Sequence, residues 1–328
     1  MSSTILREAG DRGMSLSNRR DFCRLMLGGA TGLLASKTAF AAAQGGPAAL
    51  SVTKLTDSLS LIRGAGSNVL LFNAADSVLM VDGGSAERSA ELLKLVESES
   101  AGRPVRVLFN THWHLDATGS NDTLGKAGVK IIAHENTRLW MGTEFHVQWQ
   151  NRTYKPRAKE ARPNETIYTT GRLKFGNEEI RYGHLGQAHT DGDLYVFFPA
   201  ANILFTGDLF TVGSYPVLDW STGGWIGGLA RANTTLISLT NDQTKVVPGS
   251  GPVQTQADLK ELASMVETVR KRVYDFIGRG MTAGDMYRQA PTKEFDAKWG
   301  NPSQFIANIY PGLWNHVREL GPEAHGIV

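Results

Sequence analysis

Apolar positions along this chain come in short runs bounded by Gly, Asn and Asp. "LSLIRG" (Leu59 to Gly64), "NVLLFNAADSVLMVDGG" (Asn68 to Gly84) and "VRVLFNTH" (Val105 to His112) are rich in Val, Leu and Phe, which predicts strands. Between the last two, Leu92, Leu93 and Val96 have helical spacing, with Ser85 as candidate N-cap. "VKIIAHE" (Val129 to Glu135) predicts another strand. "GRLKFGNEEIRYGHLG" (Gly171 to Gly186) reads as strand, Gly-Asn turn, strand, and "DLYVFFPAANILFTGD" (Asp193 to Asp208) as a second hairpin turning over Pro199 to Asn202. Further on, Leu259, Leu262, Val266, Val269, Val273 and Phe276 recur at three- and four-residue steps, a long helix that Gly278 ends. Thr282 caps a short helix, and "SQFIANIYPGLWNHVREL" (Ser303 to Leu320) supplies a last one that Pro311 is expected to interrupt. Strands dominate, and the helices lack the regular alternation of a doubly wound sheet. That predicts an α+β arrangement of two packed sheets with helices outside.

The chain has 328 residues, 41% hydrophobic and 20% charged, enough for one large domain or two small ones and not a composition for wholesale disorder. Its N-terminus reads as a targeting segment. Arg19 and Arg20 precede Phe22, then come the apolar run Leu25 to Ser36 and the small residues "AFAAAQ", so residues 1–43 are expected to be a signal peptide of the twin-arginine type, cleaved after Ala41 or Ala43. The run is short and Lys37 interrupts it, so no stable membrane anchor is expected once the signal is cleaved. The expected destination is the periplasm. Residues 1–43 hold six of the 34 basic and three of the 32 acidic residues, which leaves 28 basic and 29 acidic. Near-neutral charge gives no argument for a nucleic-acid partner. The single cysteine, Cys23, falls in the targeting segment, so a metal in the mature chain must be held by His, Asp or Glu.

"FNTHWHLDATGSN" (Phe109 to Asn121) places His112, His114 and Asp116 at alternating positions after a strand. In an extended loop a two-residue step turns both imidazoles toward one point, as zinc requires. "LGQAHTDGDLYVFF" offers His189 in a turn between strands, and "ILFTGDLF" ends a strand in Asp208. Glycines and aromatics alternate over Phe210 to Leu229; Tyr215, Trp220 and Trp225, with Trp113 and Trp149, are candidates for a mobile wall suited to an apolar organic substrate. The other reading is that these rings pack the loop onto the body.

In motif order over about residues 55–265, "VDGG", "THWHLDA", "AHTDGD", "FTGD" and "VVPGSGPV" resemble the metallo-β-lactamase superfamily. The resemblance implies a four-layer αβ/βα sandwich with the site in a cleft at one edge of the two sheets. It implies a metallo-β-lactamase-like domain over 51–265, with 266–328 as a helical extension packed on it. By that resemblance His112, His114 and His189 hold a first zinc, Asp116 and Asp208 belong to a second site, and Asp82 supports from beneath. The chain departs from the family at Ala117 and Ser250, where second-site histidines usually stand. One tightly bound zinc is therefore expected, with the second site weak or absent. His134, His146 and His184 remain candidates for a relocated ligand.

The implied activity is that of an exported hydrolase. It would use hydroxide on one zinc to attack an ester, lactone, thioester or β-lactam carbonyl of a small molecule, with Asp116 and Asp208 as catalytic carboxylates that orient or deprotonate the water. The alternative is a degenerate member that binds a ligand or partner without hydrolysis. The oligomeric state is open.

Overall fold

The computed structural model describes residues 49–316. The expected signal peptide lies outside the described residues. Seven strands form the first sheet. They are β1 (Ser51–Lys54), β2 (Leu59–Arg63), β3 (Val69–Asn73), β4 (Val78–Val81), β5 (Val105–Phe109), β6 (Lys130–His134) and β9 (Glu165–Ile167), in that spatial order. β1 to β4 pair antiparallel as a meander; β4, β5, β6 and β9 run parallel. The second sheet orders β10 (Thr170–Phe175), β11 (Glu178–His184), β12 (Leu194–Phe198), β13 (Ile203–Gly207) and β14 (Lys245–Pro248). Only its last pair is parallel. A small hairpin, β7 (Phe145–Val147) with β8 (Arg152–Tyr154), stands apart.

Side-chain alternation sorts the core into three layers. Leu70, Phe72, Leu79, Val81, Val107 and Phe109 point from the first sheet toward Ile180, Val196, Phe198, Ile203 and Phe205 of the second. The opposite face of the first sheet, with Val69, Leu71, Met80 and Leu108, is covered by Leu92 and Val96 of α1 (Ser89–Glu99) and Leu124 of α2 (Asn121–Lys126). The outer face of the second sheet, with Tyr195, Phe197, Leu204 and Val246, is covered by α4 (Ile226–Leu239), α5 (Gln256–Gly278) and α8 (Ser303–Asn315). The architecture is a helix–sheet–sheet–helix sandwich. Short helices complete it: α3 (Glu135–Gly142), α6 (Ala283–Arg288) and α7 (Asp296–Trp299).

Most elements with a hydrophobic period stand where that period predicts. Capping boxes close the N-termini of α5 at Thr255 and α6 at Thr282. Ser85 gives a different start. It precedes a 3₁₀ turn (Ala86–Arg88) without a side-chain cap, and α1 begins only at Ser89. Pro311 does not interrupt α8. It forgoes one backbone bond, but Phe305, Ile309 and Leu313 are buried in the outer core and hold the helix continuous across it. The expected boundary at 265/266 falls inside α5, whose buried residues on both sides share one core. Among the described residues no helix is long and apolar enough to cross a membrane.

Phe198 is fully buried between the sheets, its ring 5.7 Å from that of Phe72 in an edge arrangement. Phe198→Ala should cost about 3–5 kcal/mol of stability. Urea unfolding checks this; the midpoint falls while the slope is kept.

Candidate metal centre

The centre is built on loops that leave the C-terminal ends of strands. β4 is followed by Asp82, which is buried at φ 62°. Its carboxylate accepts from Thr111 N at 2.8 Å and from Thr111 Oγ1 at 2.8 Å. With its own proton given to Asp82, Thr111 Oγ1 accepts from His112 Nδ1, 2.9 Å away. The relay assigns the His112 tautomer and leaves Nε2 a lone pair. That Nε2 is buried with no hydrogen-bond partner among the described residues. Burial pulls the His112 imidazole well below its ordinary pKa, and His114 and His189 add to the shift, so the ring is neutral. Burial pushes the Asp82 carboxyl well up, against the two Thr111 bonds.

The other two imidazoles are tied in the same way. His114 Nε2 lies 3.1 Å from Asp219 Oδ2, and His189 Nδ1 lies 2.7 Å from the Val217 carbonyl. Each contact takes a ring proton, so His114 Nδ1 and His189 Nε2 face each other at 3.0 Å as lone pairs. Two acceptors at that distance repel unless a cation or a proton lies between them. Asp208 Oδ2 stands 3.7 Å from His189 Nε2 and 3.9 Å from His112 Nε2. All four donor atoms of His112, His114, His189 and Asp208 lie within 4.8 Å of one another. Zinc bonds of about 2.0–2.1 Å put tetrahedral donors roughly 3.3 Å apart. The spacings bracket that value, and the orphaned Nε2 points into the gap. The donor set fits a divalent transition metal, and neutral imidazoles suit zinc.

Asp208 keeps its place because residue 249 is glycine. A Cβ there would collide with Asp208 Oδ1. Gly207, at φ +55°, has no room either, since its Cβ would lie 2.6 Å from Thr111 Oγ1. Burial raises the Asp208 pKa; His189 pulls it back down and Asp116 adds to the rise. His189 is lowered by burial, yet Asp208, Asp193 and the Val217 carbonyl outweigh this and leave it raised. Asp116 lines the cleft but is not one of the four clustered donors. Ala117 is buried and Ser250 exposed, and neither brings a donor to the centre.

The cleft over the centre has a volume of about 660 Å³. His114, Asp116, His189 and Asp208 line it together with Trp149, Gln150, Arg152, Tyr154 and Arg157. None of Trp113, Tyr215, Trp220 and Trp225 is among its lining residues. Trp113 is buried and donates Nε1 to Thr222 Oγ1 at 3.1 Å. Tyr215 is buried in the outer core, and its hydroxyl donates to Asp296 at 2.7 Å. Trp225 is buried and stacked on His316. Trp220 opens a 3₁₀ turn beside α8. The glycines among them serve close packing. A Cβ on Gly224 would strike His189 O, and one on Gly228 would strike Gln187 O. They let the His189 loop press against the start of α4.

His134 and His184 stack on each other, with ring centroids 3.7 Å apart. His134 Nδ1 accepts from Asn136 N, and His184 Nδ1 lies 3.1 Å from Asp193 O. His146 pairs with Thr153 on the small hairpin. None of the three joins the donor cluster.

Two residues of the centre escaped the sequence reading. Asp219 is fully buried and holds His114, Thr222 Oγ1 at 2.8 Å and Trp149 Nε1 at 2.8 Å. Burial would raise its pKa, but the hydrogen bond and charge of His114 and the Trp149 and Thr222 bonds bring it below the usual value. Asp193 accepts from His189 N at 2.6 Å, and from Thr190 N and Oγ1, and so shapes the His189 turn. The available signal was the single acid of the otherwise apolar "YPVLDW" and the second of the two acids of the turn-like "AHTDGD".

A buried three-histidine cluster joined by an aspartate, at the ends of strands in a double-sheet sandwich, defines a class of metal-binding folds. A family model described as Metallo-beta-lactamase superfamily matches residues 62–265, and the chain belongs to that superfamily. It is 26% identical over 188 residues to "Metallo-beta-lactamase type 2" of Bacillus cereus, covering 57% of this chain and 68% of the relative. It is 25% identical over 188 residues to the protein of the same name from Bacillus sp. (strain 170), covering 57% and 67%. The solved structure of a metallo-beta-lactamase from Pontibacter korlensis superposes with a TM-score of 0.54 at 22% identity, over 67% of this chain and 99% of that one, a likeness of fold.

Asp219→Asn leaves the shape of the site but weakens the carboxylate's hold on His114. It should lower zinc affinity about 10- to 100-fold, as for other carboxylates that orient a metal-bound histidine. Competition with a chromogenic chelator measures this; unchanged affinity would show that Asp219 does not support the ligand.

Proposed function

We propose that this protein is an exported zinc-dependent hydrolase that works with one metal ion on a carbonyl-type bond of a small molecule. One observation carries the reading. Three imidazoles aim lone pairs into one buried gap, and each has its remaining proton committed elsewhere. Without a cation His112 Nε2 is left unmatched, at a cost of about 1–3 kcal/mol, and His114 Nδ1 and His189 Nε2 need a proton between them. Bound zinc supplies Lewis-acid polarisation of a carbonyl and a water acidic enough to ionise near neutral pH.

His112, His114 and His189 would hold the ion, and Asp208 closes the cluster on the β13 side. Asp116 lines the cleft with His114, which supports a role as the carboxylate that would accept a proton from an attacking water. The volume of the cleft suits a drug-sized molecule. Ala117 and Ser250 withhold two imidazoles from a second site, which supports a single ion. The relatives named metallo-beta-lactamase make a β-lactam one candidate beside esters, lactones and thioesters, because one fold serves many substrates. The twin arginines before an apolar run support export.

The test is metal analysis of the purified mature protein, followed by hydrolysis of an ester, a lactone, a thioester and a chromogenic cephalosporin. About one equivalent of zinc with turnover is expected, and His189→Ala should lose both. Two equivalents would refute the single-ion reading. Less than about a tenth of an equivalent under metal-replete conditions would refute the enzyme. One equivalent without turnover of any substrate would favour a ligand-binding role.

A further inference from the structure

The segment from Trp149 to Arg157 contributes five cleft residues, two of them cationic. Arg152 is exposed and lies over the Tyr154 ring, 4.7 Å from its centroid. Arg157 is half-buried. Among the described residues it forms no ion pair; Asp122, the carboxylate whose charge acts on it, is paired with Lys126 at 2.7 Å, and its one side-chain hydrogen bond is a long 3.4 Å contact from Nη1 to Thr118 Oγ1. Arg103, also partly buried, shows the ordinary solution; its guanidinium donates to Ser100 O, Ala74 O and Asn73 Oδ1. Arg157 keeps most of its donors free.

The base of Arg157 is nonetheless fixed. Its backbone N–H donates to Met141 O at 2.7 Å, and its carbonyl accepts from Arg162 Nε at 2.8 Å. A guanidinium removed in part from water, anchored at its backbone and with no anion in direct contact, is stabilised when one arrives. It shares one cleft with His114, His189 and Asp208. We propose that the cleft selects substrates bearing a carboxylate, which pairs with Arg157 while the bond to be cleaved lies over the histidine cluster. The planar fork of arginine matches a carboxylate with two parallel hydrogen bonds. Trp149 offers flat apolar surface to the part of the molecule between the two ends. The substrate class rests on the hydrolase reading; the anion site does not.

The test has two arms, each run on wild type, Arg157→Ala and Arg157→Lys, with thermal midpoints to confirm folding. The first compares kcat/KM for 4-nitrophenyl acetate and for the mono-4-nitrophenyl ester of glutaric acid. The ratio of charged to neutral ester should fall at least about tenfold in Arg157→Ala, mainly through KM, and recover in part in Arg157→Lys. A ratio that does not move overturns the proposal. The second arm titrates benzoate and benzamide by tryptophan fluorescence, on zinc-loaded and chelator-treated protein. Benzoate should bind more tightly than benzamide, and Arg157→Ala should remove that preference in both metal states. Benzoate binding that follows zinc and ignores Arg157 overturns the proposal, since the anion then goes to the metal. If neither ester is cleaved but benzoate still depends on Arg157, the hydrolase reading falls and the anion site stands.

Discussion

Three imidazole lone pairs converging at the floor of the cleft are the constraint on which this structure depends. A neutral imidazole has one donor and one acceptor nitrogen. For three acceptors to meet, three donors must be satisfied outside the cluster, and each by a different partner. His112 gives its proton to Thr111, His114 to Asp219 and His189 to the Val217 carbonyl. None of these partners is itself a donor of the cluster. They come from the end of β5 and from the segment before α4, so the centre ties together parts of the chain more than a hundred residues apart.

That constraint explains the backbone around it. Asp82 takes a left-handed conformation to bring its carboxylate under Thr111. Gly207 must lack a Cβ because Thr111 occupies that space, and Gly249 because Asp208 does. Gly224 and Gly228 let the loop carrying His189 lie against the start of α4. A glycine costs roughly 0.5–1 kcal/mol relative to alanine inside a regular element. Here each stands where any side chain would push a ligand or its partner aside. Read alone, the glycine-rich stretch after Asp208 resembles a mobile wall; in the fold it is a close-packed brace.

How far each feature was legible follows from the range of the interaction that makes it. Strands such as Val69–Asn73 and Leu194–Phe198 and the long helix Gln256–Gly278 carry a local period, so they could be read directly. The strands at Phe145–Val147 and Arg152–Tyr154 are three residues long and carry no period. His112 and His114 announce themselves by spacing, and Asp208 by a strand end. Asp219 acts on His114 across 105 residues of sequence, and no local pattern encodes that pairing. The aromatic residues misled because ring-rich loops look alike whether they face solvent or core. Tyr215 and Trp225 are committed to α7, α8 and His316 by contacts that only the tertiary fold supplies.

Asp219 also joins the metal centre to the cleft. Its Oδ2 holds His114 and Thr222, while its Oδ1 holds Trp149 at the tip of the small hairpin. A carboxylate buried this completely is stable only with its lone pairs engaged, so displacement of either partner weakens the hold on the other. The same hairpin carries Arg152 and Tyr154 and leads into Arg157. The position of the aromatic and cationic wall is thus referenced to a histidine of the cluster through one side chain. A wall anchored in this way keeps its groups at a set distance from the histidine cluster, which is the geometry that the proposed choice among substrates requires.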